Sequence, residues 1–193
     1  MSAASPILKP IAQRRTIYAL KPVLPSNVTL KDIQSIVQEI VKETPSAFNS
    51  QPNRAVIITG ATKTKVWDSV VKAIGNGDGA KRPASIRDEA FGSVLFFTDS
   101  SVTKNMQSQF AIYKDAFPVW ADQSSGAVQI QAWTALEAIG LGGHLQHYNQ
   151  LVEAALPADI PKNWVLQAQL NFGVPAAPAG EKEYASNPVK VYE

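Results

Sequence analysis

Residues 124–139 read SSGAVQIQAWTALEAI. Val128, Ile130, Ala132, Trp133, Ala135, Leu136, Ala138 and Ile139 occupy nearly the whole circumference of a helix instead of one stripe. A helix that is apolar nearly all round is a buried one. In a chain of 193 residues this predicts a long central helix, with a surface that a second copy could share. The helix is expected to stop at Gly140-Leu141-Gly142-Gly143 and to lead into a loop, HLQHYN, at 144–149.

Downstream, Asn149 is placed to cap a short helix carrying Leu151, Val152, Ala155 and Leu156. Leu166, Ala168, Leu170 and Phe172 then alternate with Gln167, Gln169 and Asn171, the pattern of a strand with one polar face. Residues 173–180 are Pro/Ala-rich and extended, and Val189–Tyr192 reads as a closing strand. Upstream, a weaker helix is expected over 102–113, ended by Phe117-Pro118. Ser93–Thr98 and Arg54–Thr59 are short apolar strands, and Val66, Trp67, Val70, Val71 and Ile74 mark a helix over 62–75. Asn76–Gly79 reads as a loop, and the charged stretch Lys81-Arg82-Pro83 to Arg87-Asp88-Glu89 as a solvated face. Thr29 and Asp32 form a capping-box pattern ahead of Ile33, Ile36, Val37, Ile40 and Val41, an amphipathic helix. Ser5-Pro6 opens a short first helix as cap and first-turn proline. Strands and helices in this order give an α+β fold in a single domain over 1–193, not a regular βαβ alternation.

Composition narrows the function. The net charge of +2 gives no field that would demand nucleic acid or a membrane surface, so neither is expected as a partner. There is no cysteine, which excludes disulfides, thiolate metal sites and cysteine nucleophiles. The first residues carry no apolar core of a secretory signal, and no apolar run approaches the roughly 20 residues of a membrane span. GLGGHL at 140–145 lacks the sixth glycine of a dinucleotide fingerprint and follows a helix where the fingerprint follows a strand. His144-x-x-His147 has no third ligand near it, so no metal site is expected. No GxSxG elbow is present.

Two polar stretches remain. Thr44–Arg54 (TPSAFNSQPNR) is dense in hydroxyls and carboxamides, which suit the donor and acceptor edge of a planar heterocycle and equally suit an ordinary polar loop. Arg14-Arg15-Thr16 is compatible with an anion clamp and with a basic turn at a helix end.

Taken jointly, RRTIYALKP, TPSAFNSQPNRAVI, KRPASIRDEAFGSVLFFTD, SSGAVQIQAWTALEAIGLGGHLQHYN and LQAQLNFGVPAAPAGEK resemble the flavin-dependent nitroreductase family over essentially the whole chain. They are similar above all to its fungal subgroup, associated with oxidative stress and lipid signalling. The resemblance implies a nitroreductase-like α+β fold, with a central mixed or antiparallel sheet flanked by helices. It implies a homodimer holding FMN at the interface beside the central helix. Arg14, Arg15 and Thr16 would bind the flavin phosphate, with Lys182 as a late basic residue. Pro45, Ser46, Ala47, Asn49 and Gln51 would reach the flavin from the partner chain. Arg87 would approach the pyrimidine edge, and Leu145, Gln146 and His147 would run along the isoalloxazine. His147-Tyr148 stands where larger family members have a Glu-Gly pair. The implied activity is oxidation of NAD(P)H with reduction of nitro-aromatic or quinone acceptors. No protein nucleophile is required, because the cofactor carries the chemistry. A slow flavoprotein sensor in fatty-acid signalling is the alternative. The expected compartment is the cytoplasm, with the nucleus second.

Overall fold

The computed structural model describes residues 4–193. Its elements are α1 (Ser5–Gln13), β1 (Leu20–Lys21), α2 (Leu30–Glu43), β2 (Asn53–Thr59), α3 (Gly60–Ile74), α4 (Asp78–Glu89), β3 (Gly92–Asp99), α5 (Ser100–Gln109), α6 (Ala116–Ala138), β4 (Gly142–Gln146), α7 (Asn149–Glu153) and β5 (Trp164–Pro175). Single 3-10 turns lie at Ala47–Asn49 and Ala111–Tyr113. The sheet order is β1-β5-β3-β2, with β4 also paired to β5. Every strand pair is antiparallel.

Helices cover both faces. On one face α2 and α6 bring Ile33, Val37, Val128, Ala132 and Leu136 against Val94, Phe96, Ala168 and Leu170. On the other, α3, α4 and α7 bring Val66, Trp67, Val70, Ile86 and Val152 against Ile58, Leu95, Phe97 and Leu166. Leu166 and Ala168 would share a face in a regular strand. They are split between the two cores because the register shifts at Phe96/Phe97, a β-bulge that leaves Gln167 as the extra residue.

The alternating carboxamides of β5 therefore do not mark a solvent face. Gln169 and Asn171 are fully buried. Asn171 Oδ1 accepts from the Ser93 hydroxyl at 2.6 Å, and Ser93 Oγ accepts from Trp67 Nε1 at 2.9 Å. Gln169 Oε1 accepts from the Tyr148 amide at 2.8 Å. A satisfied polar network of this kind is compatible with a buried sheet face.

Several boundaries differ from the sequence reading. Ser5 is the first helical residue of α1, not its cap; Ala4 holds that place. The charged stretch at 81–89 is not an irregular solvated face but most of helix α4, whose Pro83 and Ile86 are buried. Phe117-Pro118 does not break a helix; it lies in the first turn of α6, where proline's missing N–H has no helical partner to lose. Tyr148, not Asn149, occupies the cap of α7; the Asn149 side chain instead bonds Gln167 O and Gln169. Val189–Tyr192 forms no strand within the chain. The expected loop after α6 is strand β4. Gly140, at φ 91°, closes α6 with bonds from its own N–H to Glu137 O and from Leu141 N to Leu136 O, a Schellman turn. The chain then enters β4 directly. A Cβ on Gly143 would lie 3.0 Å from Asn171 O, so the glycine serves close strand packing. The central helix is confirmed but is longer than expected and covered on only one side within the chain: Val119 and Ile130 are exposed.

Candidate functional site

The Arg14-Arg15-Thr16 segment lies across the C-terminal end of α6. Arg14 caps α1 with φ −57°, ψ 123°, so the backbone leaves the helix there. Its guanidinium carbon sits 4.3 Å from the centre of the Trp133 ring. Trp133 Nε1 donates to Glu137 Oε1 at 2.8 Å, and the Arg15 amide donates to Glu137 Oε2 at 2.8 Å. Burial raises the Glu137 pKa, opposed by these two donors and the two arginines. The Arg15 guanidinium donates to Gly180 O, which draws the C-terminal segment in, with Lys182 two residues further on. Lys182 Nζ lies 5.0 Å from the centre of the Tyr184 ring. Thr16 is exposed and bridges to Gly143, tying the segment to β4.

The 44–54 loop is fastened to the N-terminal half of α6. The Ser124 hydroxyl donates to Pro45 O at 2.8 Å and accepts from Asn53 Nδ2 at 2.8 Å. Within the loop, the Gln51 amide donates to Ser46 Oγ at 2.8 Å and the Gln51 carboxamide donates to Asn49 Oδ1 at 3.2 Å. Phe48, Asn49 and Gln51 all have positive φ, at 56°, 51° and 53°. Such strain persists only where the surroundings impose it and is common at ligand sites. Phe48 is half exposed and packs on Phe110, Phe117 and Trp120, with ring centres 4.7, 5.5 and 6.3 Å away. Beside it Pro45, Ser46, Ala47, Trp120, Gln123 and Ser124 line an open concavity of about 370 Å³.

A third group lies at the end of β4. Leu145 packs against the α6 core, Gln146 points its carboxamide to His144 Nδ1 at 3.2 Å, and His147 is exposed. His144 is 1% exposed, and its Nε2 has no hydrogen-bond partner. Its ring centre is 5.2 Å from that of Tyr18, over which the Arg82 guanidinium lies at 3.9 Å. Burial, with Arg82 a lesser cause, pulls the His144 pKa down from 6.5 to about 4. The unfolded chain therefore takes up this proton first. The stability that goes with the neutral ring is whole above pH 6.5 and is lost as pH falls toward 4. At about 1.4 kcal/mol per pKa unit the loss is roughly 3 kcal/mol. Unfolding free energies measured from pH 7 to 4 should show it, and a His144→Gln variant should show a flatter profile. Parallel profiles would refute the assignment.

Arg87 does not join this group. Its guanidinium donates to Asp88 at 2.8 and 2.9 Å and to Asp68 at 3.2 Å, on the α3–α4 surface. The cation that faces β4 is Arg82, whose charge acts on both His144 and Tyr148. The sequence reading missed Arg82, Tyr18, Trp133, Phe48 and Glu137. One signal was available for Glu137, the single charged residue in residues 124–139.

The loop and the arginine segment do not meet within one chain. Ser124, which holds the loop, and Glu137, which holds Arg15, are 13 residues apart on α6, or roughly 20 Å at 1.5 Å per residue. Among the described residues no group of His, Asp and Glu is placed to hold a metal ion, and no helix is long and apolar enough to cross a membrane.

Comparison with known proteins places this geometry. The sequence model of the Nitroreductase family matches residues 11–174. HBN1 of Saccharomyces cerevisiae is 62% identical over 192 residues, covering 100% of both chains. A nitroreductase crystal structure from Saccharomyces cerevisiae has a TM-score of 0.88 at 49% identity, covering 97% of this chain and 99% of the other. Nitroreductase CinD from Lactococcus lactis, in complex with nicotinic acid, has a TM-score of 0.83 at 40% identity, covering 93% and 94%. The antiparallel sheet between two helical layers is thus the nitroreductase fold, and full-length similarity carries the assignment beyond the fold: the chain belongs to the nitroreductase family, a family of oxidoreductases.

Proposed function

We infer that the protein is a homodimeric, FMN-dependent oxidoreductase that passes reducing equivalents from NAD(P)H to a nitro-aromatic or quinone-type acceptor. The observation that carries this reading is the separation of the two polar sites along α6. An exposed flank of α6 accompanies them, with Ile130 between the two and Val119 five residues before Ser124. Two copies related by a two-fold axis along this flank would bring the 45–51 loop of one beside Arg14-Arg15-Thr16 of the other.

The residues present fit FMN, which members of this family bind. Arg14, Arg15 and Thr16 offer charge and a hydroxyl to the phosphate. Ser46, Asn49 and Gln51 offer uncharged donors and acceptors to the ring edge. A neutral His144 that accepts from Gln146 at Nδ1 keeps its proton on Nε2, a buried donor without a partner. FMN, when bound, would supply the two-electron redox chemistry between a nicotinamide and the acceptor. Arg82, over the Tyr18 ring at 3.9 Å and near enough to His144 and Tyr148 to act on both, would take the role expected of Arg87, a cation that favours negative charge at the flavin edge. The Phe48, Phe110, Phe117 and Trp120 rings form an apolar wall suited to stacking a planar aromatic acceptor.

Flavin released from the purified protein, measured against protein concentration, tests the reading. About one FMN per chain is expected, on a dimer, if both interface sites fill. A colourless monomer that stays so after incubation with excess FMN would overturn it. Turnover of NAD(P)H with a nitro-aromatic acceptor separates a catalyst from a slow flavoprotein sensor.

A further inference from the structure

The geometry points to Glu137 as a positioning residue that sets the Arg14-Arg15-Thr16 segment for a flavin phosphate; this inference rests on the flavin reading above. A bare carboxylate beside a phosphate would repel it. Here both oxygens are turned to neutral donors: Oε1 accepts from Trp133 Nε1 and Oε2 from the Arg15 amide, each at 2.8 Å. The carboxylate thus fastens two things at once. It holds the indole that carries the Arg14 guanidinium at 4.3 Å. It also anchors the Arg15 backbone one residue after the chain leaves α1. Arg15 in turn reaches Gly180 O, so the same anchor governs the approach of the segment bearing Lys182.

Glu137 sits one turn after Trp133 on α6 and two residues before the Ile139 cap, in the last turn of a 23-residue helix. A Schellman turn follows it and launches β4, whose Gly143 is bridged by Thr16. The arginine pair is therefore fixed against both α6 and β4, and Glu137 is the side chain that makes the first of these attachments. Binding a dianion with preordered donors avoids the cost of ordering them at the moment of binding. Glu137 contributes that order without touching the ligand.

The test compares FMN with riboflavin, which lacks the phosphate, on flavin-free full-length protein. Wild type should bind FMN much more tightly than riboflavin. Glu137→Ala should raise the FMN Kd about ten- to a hundred-fold, on the scale of lost charge-assisted hydrogen bonds. Its riboflavin Kd should move less than about two-fold, since neutral flavin contacts are untouched. Glu137→Gln preserves size and helix but sets an NH₂ against one donor, and should raise the FMN Kd by a smaller factor, again without moving riboflavin. Parallel weakening of both ligands would mean a merely structural role and would overturn the inference, as would unchanged FMN binding. If Glu137→Ala does not fold, Glu137→Gln decides by the same comparison. Wild type without preference for FMN over riboflavin would overturn the phosphate assignment itself, and this inference with it.

Discussion

Lys63→Met is expected to lower the unfolding free energy by about 3–6 kcal/mol, from two charge-assisted hydrogen bonds at roughly 1.5–3 kcal/mol each. Lys63 lies in the first turn of α3 and is 4% exposed. Its ammonium donates to Arg87 O at 2.7 Å and Ala90 O at 2.8 Å, with Ile86 O further away at 3.5 Å. These are carbonyls at the C-terminal end of α4, where a helix runs out of its own donors and presents the negative end of its dipole. Methionine has nearly the same shape and none of the donors, so it would leave the carbonyls buried and unpaired. Burial holds the Lys63 pKa below its usual 10.5, opposed by Asp88, and the bonds to carbonyls keep the charged form in place. Lys65→Met, exposed on the same helix, should change stability by less than about 0.5 kcal/mol. Urea midpoints at unchanged slope would measure both. A loss below about 1 kcal/mol for Lys63→Met would show that the α4 terminus does not depend on this lysine.

The same contact explains why α4 was not legible in the sequence. Residues 78–89 contain Gly79 and Pro83, both poor in a helix interior, and five further charged side chains after Asp78. What makes them a helix is tertiary: Pro83 and Ile86 are buried, and Lys63 closes the end. Helix α2 is the opposite case. Its period and its Thr29–Asp32 capping box were readable, and the box forms, with Thr29 N donating to Asp32 Oδ2 at 2.8 Å and Asp32 N to Thr29 Oγ1 at 3.2 Å. Strands β2 and β3 were likewise plain from their apolar runs. Strand β4 was hidden because GGHLQ lacks the β-branched signature. The polar loop and the arginine pair could be picked out as stretches. Their separation along α6 could not, because it depends on which turns of the helix hold each.

Missing α4 had a direct cost at the site. The resemblance puts a basic residue ahead of β3 at the flavin edge, and in the sequence Arg87 falls there, five positions after Arg82. On a helix of 3.6 residues per turn, five positions amount to roughly 140° of net rotation, so the two side chains leave on different sides. Arg87 is turned to Asp68 and Asp88, and Arg82 to Tyr18 and β4. Arg82→Ala in the FMN-loaded protein is therefore expected to slow reduction of the flavin by NAD(P)H about 10²–10³-fold, the cost of removing one preorganised donor from a developing charge. Arg82→Lys should recover part of that rate, because it restores the charge without the planar face that lies over Tyr18. Arg87→Ala removes a partly exposed ion pair, so it should leave the rate within a few-fold and cost at most about 1 kcal/mol of stability. Rapid-mixing measurements of flavin absorbance in all three variants decide between the two arginines. A large loss in Arg87→Ala with none in Arg82→Ala would mean that Arg87 abandons its carboxylates when the cofactor binds. That would return the role to the residue that the family resemblance first suggested.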